Sequence, residues 1–241
     1  MLKNTKAENI LFLDIETVSE VPEFDKLSPE KQKLWEKKSS FLRKEEETPS
    51  ELYHRAGIYA EFGKIVCISV GLIHVKSGEM HLRLKSFFGD DEKSILSEFG
   101  GLLEKLSKNK DINLCGHNAR EFDFPYLARR TLINGLKLPQ LLNVAGKKPW
   151  EVPFLDTIEL WRFGDYKNYT SLDLLANLFE IPTPKGDMDG SMVSDTYWKE
   201  KDLQRIAVYC EKDVRTVVQL FLRLQGKSLI KDELIESTTS F

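Results

Sequence analysis

The sequence predicts an α/β fold, a mixed sheet covered by helices, on three observations. The apolar run Ile10-Leu11-Phe12-Leu13-Asp14-Ile15-Glu16 reads as a buried strand. A β-branched run from Lys64 to Ile73 and an alternating run from Met80 to Phe87 add two more strands. From Asp91 onward, segments of helical spacing alternate with short apolar stretches. At 241 residues the chain holds one large core, and no internal repeat or linker divides it, so a single domain is expected.

In the first strand side chains alternate faces, so Asp14 and Glu16 point the same way, roughly 7 Å apart at about 3.3 Å per residue. Two like charges so placed call for a cation between them; the alternative is a strand that ends in solvent. Residues 19–62 form a long polar stretch. Ser28-Pro29 opens a helix that contains Trp35, Lys37 to Lys44 is basic, Glu45-Glu46-Glu47 is acidic, and Pro49 marks a turn. This reads as a solvated helical insertion, against the alternative of a lid that brings Trp35, Lys37, Lys38 or Arg43 to a substrate.

Ser77-Gly78 turns between the second and third strands, with His74 and His81 flanking it as surface residues. A helix is expected from Asp91 to Leu106, and Asn113-Leu114-Cys115 returns to the sheet, ending at Gly116. A further helix starts near Phe124-Pro125. Phe154-Leu155-Asp156 is a short strand or turn before a helical segment with Leu160 and Trp161. Thr170 is the expected cap of a helix containing Leu172, Leu175, Leu178 and Phe179, which stops before Pro182. The last helix runs from about Lys201 to Leu224.

Composition narrows the class of function. No apolar segment approaches the ~18 residues that a membrane span needs, and Met1 leads into no secretory leader. Three widely spaced cysteines, Cys67, Cys115 and Cys210, give neither a disulfide framework nor a zinc spacing, so a reducing cytoplasm is expected. A net charge of −3 argues against nonspecific coating of nucleic acid but leaves room for a small site that grips a few phosphates.

Two further segments carry candidate chemistry. In Gly116-His117-Asn118-Ala119-Arg120-Glu121-Phe122-Asp123-Phe124-Pro125-Tyr126-Leu127 a strand end passes into a helix start. There Asp123 is either a helix cap or a catalytic carboxylate, and Asn118 a turn residue or a ligand. On the last helix Asp213 falls within the apolar stripe of Ile206, Cys210, Val217, Leu220, Phe221 and Leu224, with Tyr209 on the same face. An acid there requires a partner: Arg205, the Tyr209 hydroxyl or a metal. Asp187-Met188-Asp189-Gly190 fails as a calcium loop, because Lys185 and Thr196 would occupy its first and last ligand positions.

Taken in order, the acidic pair, the Asn-x-x-x-Phe-Asp turn and the Tyr-x-x-x-Asp helix resemble the DEDD family of 3′–5′ exonucleases in its tyrosine-bearing branch. The likeness is to the exonuclease domain of family B DNA polymerases and its stand-alone relatives. Asp14-Ile15-Glu16-Thr17 matches the first motif, Asn118 through Leu127 the second, and Tyr209-Cys210-Glu211-Lys212-Asp213 the third. The histidine-bearing branch would need His where this chain has Val208. The likeness spans Ile10 to Leu224, so no polymerase domain is expected; the long 19–62 stretch departs from the family pattern.

The resemblance implies a ribonuclease H-like fold with a largely five-stranded mixed sheet. It implies Asp14, Glu16, Asp123 and Asp213 as ligands of two divalent cations, Mg²⁺ or Mn²⁺, which hard oxygen donors suit. It makes Tyr209 a catalytic residue beside them and gives the Thr17 backbone and Asn118 substrate contacts, with Phe122 meeting the substrate or packing in the core. Apart from the resemblance, Arg120, Arg129 and Lys212 are basic residues near these motifs that could bind phosphate. The implied activity is proofreading-type hydrolysis at the 3′ end of DNA, single-stranded or frayed, releasing nucleoside 5′-monophosphates. The rival readings are an exoribonuclease of the ribonuclease D or oligoribonuclease type, and a catalytically inactive nucleic-acid-binding or polymerase-accessory module.

Overall fold

The computed structural model describes residues 5–44, 47–167, 169–182 and 188–241; Glu45, Glu46, Lys185 and Asp187, named above, lie outside them. Strand β1 (Ile10–Ser19) is the long apolar run, and after the polar stretch β2 (Gly63–Lys76) pairs back on it antiparallel. Ser77 and Gly78 both take positive φ (52° and 83°), the backbone that a tight two-residue hairpin needs, and β3 (Glu79–Phe88) returns beside β2. His74 and His81 face each other across this hairpin with their rings stacked 5.2 Å apart.

Helix α2 (Glu92–Leu106), capped by the Asp91 carboxylate, leads to β4 (Asn113–Gly116), parallel to β1. Helix α3 (Asp123–Ile133) then leads to β5 (Leu155–Asp156) at the sheet edge. Helix α4 (Thr157–Arg162) follows, and α5 (Leu172–Leu178) is capped by Ser171 rather than the expected Thr170; the Thr170 carbonyl instead accepts from His117 Nε2. A short α6 (Val193–Asp195) runs into a π turn before the long α7 (Leu203–Leu224). Among the described residues the sheet has six strands, ordered β5-β4-β1-β2-β3-β6, one more than expected. The addition is β6 (Ile235–Ser237), parallel to β3; three residues are too few for a period to declare itself in sequence.

The two faces of β1 organise the core. Leu11, Leu13 and Ile15 pack with Ile95, Leu96 and Phe99 of α2 and with Phe124 and Leu127 of α3. Ile10 and Phe12 face α7, where they meet Val214, Val217 and Phe221; the Phe12 and Phe221 rings touch edge to face at 5.3 Å. Asp14 and Glu16 continue that second row, which is why they arrive under α7.

The 19–62 stretch does contain the expected helix, α1 (Pro29–Ser39), with Pro29 in its first turn and the Ser28 hydroxyl as cap. It is not simply a solvated face. Trp35 is wholly buried in a small core with Leu27, Leu52, Tyr53, Ala56 and Phe62, and its indole N–H donates to the Pro49 carbonyl. Those contacts also keep Trp35 from serving as a ligand on a lid. The segment is tied to the main body through buried polar bonds. The Tyr126 hydroxyl donates to the Gly57 carbonyl and Arg130 to the Ala60 carbonyl. Beside them Glu92 takes Arg130 and the Ile65 N–H. No described helix is long and apolar enough to cross a membrane.

Candidate active site

The acid cluster forms where β1 outruns its neighbour. Pairing with β4 covers only Ile10 to Phe12, and β4 ends at Gly116. A side chain there would clash, because a Cβ on Gly116 would lie 3.0 Å from the Leu13 carbonyl and 2.5 Å from the Ala119 Cβ. Beyond this point the Ile15 N–H has lost its strand partner, and Asp123 Oδ1 accepts it at 3.1 Å. Asp123 is therefore not the cap of α3, a position held by Phe122 with no side-chain bond; its carboxylate bridges α3 to β1.

On the opposite side α7 lays Cys210 against β1. The Cys210 thiol lies 3.4 Å from Asp14 Oδ2 and 3.5 Å from the Asp14 carbonyl. Ligand atoms of Asp14, Glu16 and Cys210 all lie within 4.8 Å of one another, a spacing that suits a metal ion. On the same helix Tyr209, the residue before Cys210, and Asp213, three residues after it, hydrogen-bond to each other through their side chains. Arg205, the alternative partner for Asp213, pairs with Glu200 instead.

Electrostatics argues that the cluster is built for cations. Burial first, and then the neighbouring charges of Asp123, Glu16 and Asp213, hold the Asp14 carboxyl well above the usual range. Burial and Asp213 do the same to Glu16, for which no side-chain hydrogen bond is found among the described residues. Burial raises Asp123 to about 7 and Asp213 to about 6. Among the described residues no arginine or lysine forms an ion pair with Asp14, Glu16 or Asp123, although buried carboxylates ordinarily require one. Oxygen donors lacking a protein counter-charge fit hard divalent ions, and Asp14 and Glu16, with the Cys210 thiol, lie at a spacing that could hold one. Tyr209 moves with them: burial and the charges of Asp213 and Glu16 push its phenol far above its ordinary value, so it keeps its proton at neutral pH.

The other expected residues flank this centre. Thr17 is half-buried, and its side chain turns to the Tyr126 hydroxyl. Asn118 stands at φ +63°, at the bend between β4 and α3. Phe122 packs against the core with its ring 5.4 Å from that of Tyr126. Arg120 is committed to Glu159 and the Pro149 carbonyl, Arg129 is exposed, and Lys212 lies close enough to favour the charged form of Asp213.

Sequence reasoning missed Asp156. Its carboxylate is buried and accepts three backbone N–H groups, from Asn118 (2.9 Å), Arg120 (3.0 Å) and Ile158 (3.0 Å). It both caps α4 and holds the Asn118–Arg120 bend in place. Burial raises its pKa despite those bonds. Only its place at the end of a short apolar run could have flagged it. Beside it His117 spans Thr157 and the Thr170 carbonyl, and burial keeps the ring neutral.

The model of a family described as a predicted 3′–5′ exonuclease related to the exonuclease domain of PolB matches residues 58–238. Among solved structures the chain is similar to the family B DNA polymerase of the hyperthermophilic archaeon Pyrobaculum calidifontis. That likeness has a TM-score of 0.51 and 15% sequence identity, and it covers 91% of this chain. The chain spans 27% of the length of that polymerase, so the likeness concerns one part of it and establishes the ribonuclease H-like fold. No curated protein matches the sequence.

Proposed function

The chain belongs to the family of predicted 3′–5′ exonucleases related to the PolB exonuclease domain, and from that premise we propose that it hydrolyses DNA from the 3′ end. The substrate is a single-stranded or frayed terminus, the products are nucleoside 5′-monophosphates, and the 241 residues act as one exonuclease domain. The observation that carries this reading is the convergence of Asp14, Glu16, Asp123 and Asp213, buried or half-buried and without ion-pair partners among the described residues, beside Tyr209.

These four carboxylates would hold two divalent cations, Mg²⁺ or Mn²⁺. When bound, such ions acidify the attacking water and neutralise charge on the departing 3′-oxygen. Within this proposal the protein supplies position. Asp14 and Glu16 are fixed by β1, Asp123 by its bond to the Ile15 N–H, and Asp213 by α7. Tyr209, hydrogen-bonded to Asp213, orients the attacking water. The Thr17 backbone and the Asn118 side chain contact the terminal nucleotide, and Phe122 supports it. The Asn118-to-Leu127 wording, with Phe122-Asp123 ahead of Pro125-Tyr126-Leu127, supports DNA over RNA.

The test is a time course on 5′-labelled single-stranded DNA and RNA of matched sequence with Mg²⁺, Mn²⁺ or EDTA, beside Asp14→Ala and Asp213→Ala. A metal-dependent ladder on DNA, absent in both variants, is the expected result. Near-normal turnover in either variant would remove the site assignment, and faster shortening of RNA would reassign the substrate.

A further inference from the structure

Six large aromatic side chains stand more than half exposed among the described residues, and four of them, Trp150, Phe163, Tyr166 and Tyr169, fall within one stretch of twenty residues. This stretch also carries β5, α4 and Asp156, the carboxylate that holds the Asn118 bend. We infer that these aromatics form a stacking wall for the unpaired bases of a single-stranded nucleic acid whose 3′ end lies at the acid cluster. The inference rests on the exonuclease reading and extends it from the scissile bond to the strand behind it.

Continuity with the site is the first argument. The Tyr169 ring meets that of His117 edge-on at 6.5 Å, and His117 directly precedes Asn118. From there the wall runs back along the chain to Tyr166 and Phe163 at the C-terminal end of α4. Trp150 joins it through Arg120, which binds the Pro149 carbonyl and pairs with Glu159 of α4.

Backbone conformation is the second. Phe163 closes α4 in the left-handed region at φ 44° and is 84% exposed. A left-handed backbone disfavours a residue with a Cβ, and exposure of a benzyl group gains nothing from folding, so neither feature is explained by stability. Gly164 follows, also left-handed at φ 91°, and together they hold the Phe163 ring out from the helix end.

Charge is the third. The Lys148 ammonium lies 5.2 Å from the Trp150 ring centre and the Arg162 guanidinium 5.8 Å from that of Tyr166. Cations resting on exposed rings provide both chemistries that a sequence-tolerant single-strand site needs, π-faces for bases and positive charge for phosphates.

The test is binding, measured by fluorescence anisotropy in EDTA so that no hydrolysis enters, of labelled oligo(dT), oligo(U) and an abasic deoxyribose-phosphate strand of equal length. Loss of one stacked base weakens binding by about fivefold or more. Phe163→Gly and Tyr169→Ala are each expected to lose that much on oligo(dT) and almost nothing on the abasic strand. Phe163→Gly adds a readout that a structural role would not give, because glycine suits the left-handed backbone. Its melting temperature should equal or exceed that of the wild type while its affinity falls. Oligo(dT) affinity unchanged in both variants, or an equal loss on the abasic strand, would overturn the wall. Parallel losses on oligo(U) would support it and show that it serves either sugar. A wild type that cleaves nothing yet binds oligo(dT) through these rings would leave the wall standing and remove the exonuclease.

Discussion

Asp123→Asn removes a charge but keeps the oxygen that accepts the Ile15 N–H, so it isolates the electrostatic tension of the acid cluster. Burial holds the Asp123 carboxyl at about 7, against 3.8 for an unperturbed aspartate. That displacement corresponds to about 4 kcal/mol between the protonated and ionised forms of the folded chain. Because the folded-state pKa lies above the unfolded one, the folded protein binds more protons between about pH 4 and pH 7, and its stability falls as pH rises through that window. In EDTA the variant is therefore expected to match the wild type only below about pH 4, to exceed it already by on the order of 1 kcal/mol at about pH 5, and by on the order of 2–4 kcal/mol at about pH 8.5. At about 2–4 °C per kcal/mol for a chain of this size, the melting midpoint rises by on the order of 10 °C. Mg²⁺ or Mn²⁺ works in the opposite direction. A wild type at a hundredfold excess over Kd gains about 2.7 kcal/mol, and the variant, one ligand short, gains less. Thermal melts across this pH range, with EDTA and with each cation, read both effects. A variant that melts at or below the wild type at high pH in EDTA, or a gap that does not grow with pH, refutes the reasoning.

Three other perturbations separate scaffold from chemistry. Glu92→Ala strands the buried Arg130 guanidinium, the Ile65 N–H and the Asn134 amide, and is expected to lower stability by about 3–5 kcal/mol in urea denaturation. A loss under 1 kcal/mol would mean that water replaces the carboxylate. Gly116→Ala forces apart the Leu13 carbonyl and Ala119, so it should displace the Asn118 bend and lower turnover more than it lowers the melting midpoint; proportionate losses would show only general destabilisation. Tyr209→Phe deletes the donor to Asp213 and is expected to slow turnover by about 10- to 100-fold. If Tyr209 only orients the water, the alkaline limb of the pH–rate profile should stay in place; loss of that limb would identify Tyr209 as the base.

What was legible in the sequence is what obeys a short period. The alternation of β1 places Asp14 and Glu16 on one face, and the four-residue spacing on α7 places Tyr209 beside Asp213. Both patterns are local, and the structure keeps both. Residues whose partners are distant backbone groups were opaque. Asp156 is defined by N–H groups of Asn118 and Arg120, more than thirty positions away, and Asp123 reaches Ile15 rather than capping its own helix. Trp35 sits in a run dense in lysine and glutamate, so its surroundings read as solvated, whereas burial is decided by Leu52, Tyr53 and Phe62 arriving from the far end of the segment. The same holds for Glu211 inside the third motif. Its carboxylate is buried among the hydroxyls of Ser86, Ser237 and Thr239, contacts that exist only once β6 docks beside β3.

The most direct measurement is the identity of the first product released from single-stranded DNA labelled within its 3′-terminal nucleotide, sampled at the earliest turnover in Mn²⁺. The account predicts a labelled mononucleotide carrying a 5′-phosphate, formed before any shorter oligonucleotide loses its 5′ end, and suppressed by EDTA. A first product bearing a 3′-phosphate, an internal cut that yields oligonucleotides, or release that continues in EDTA would contradict it.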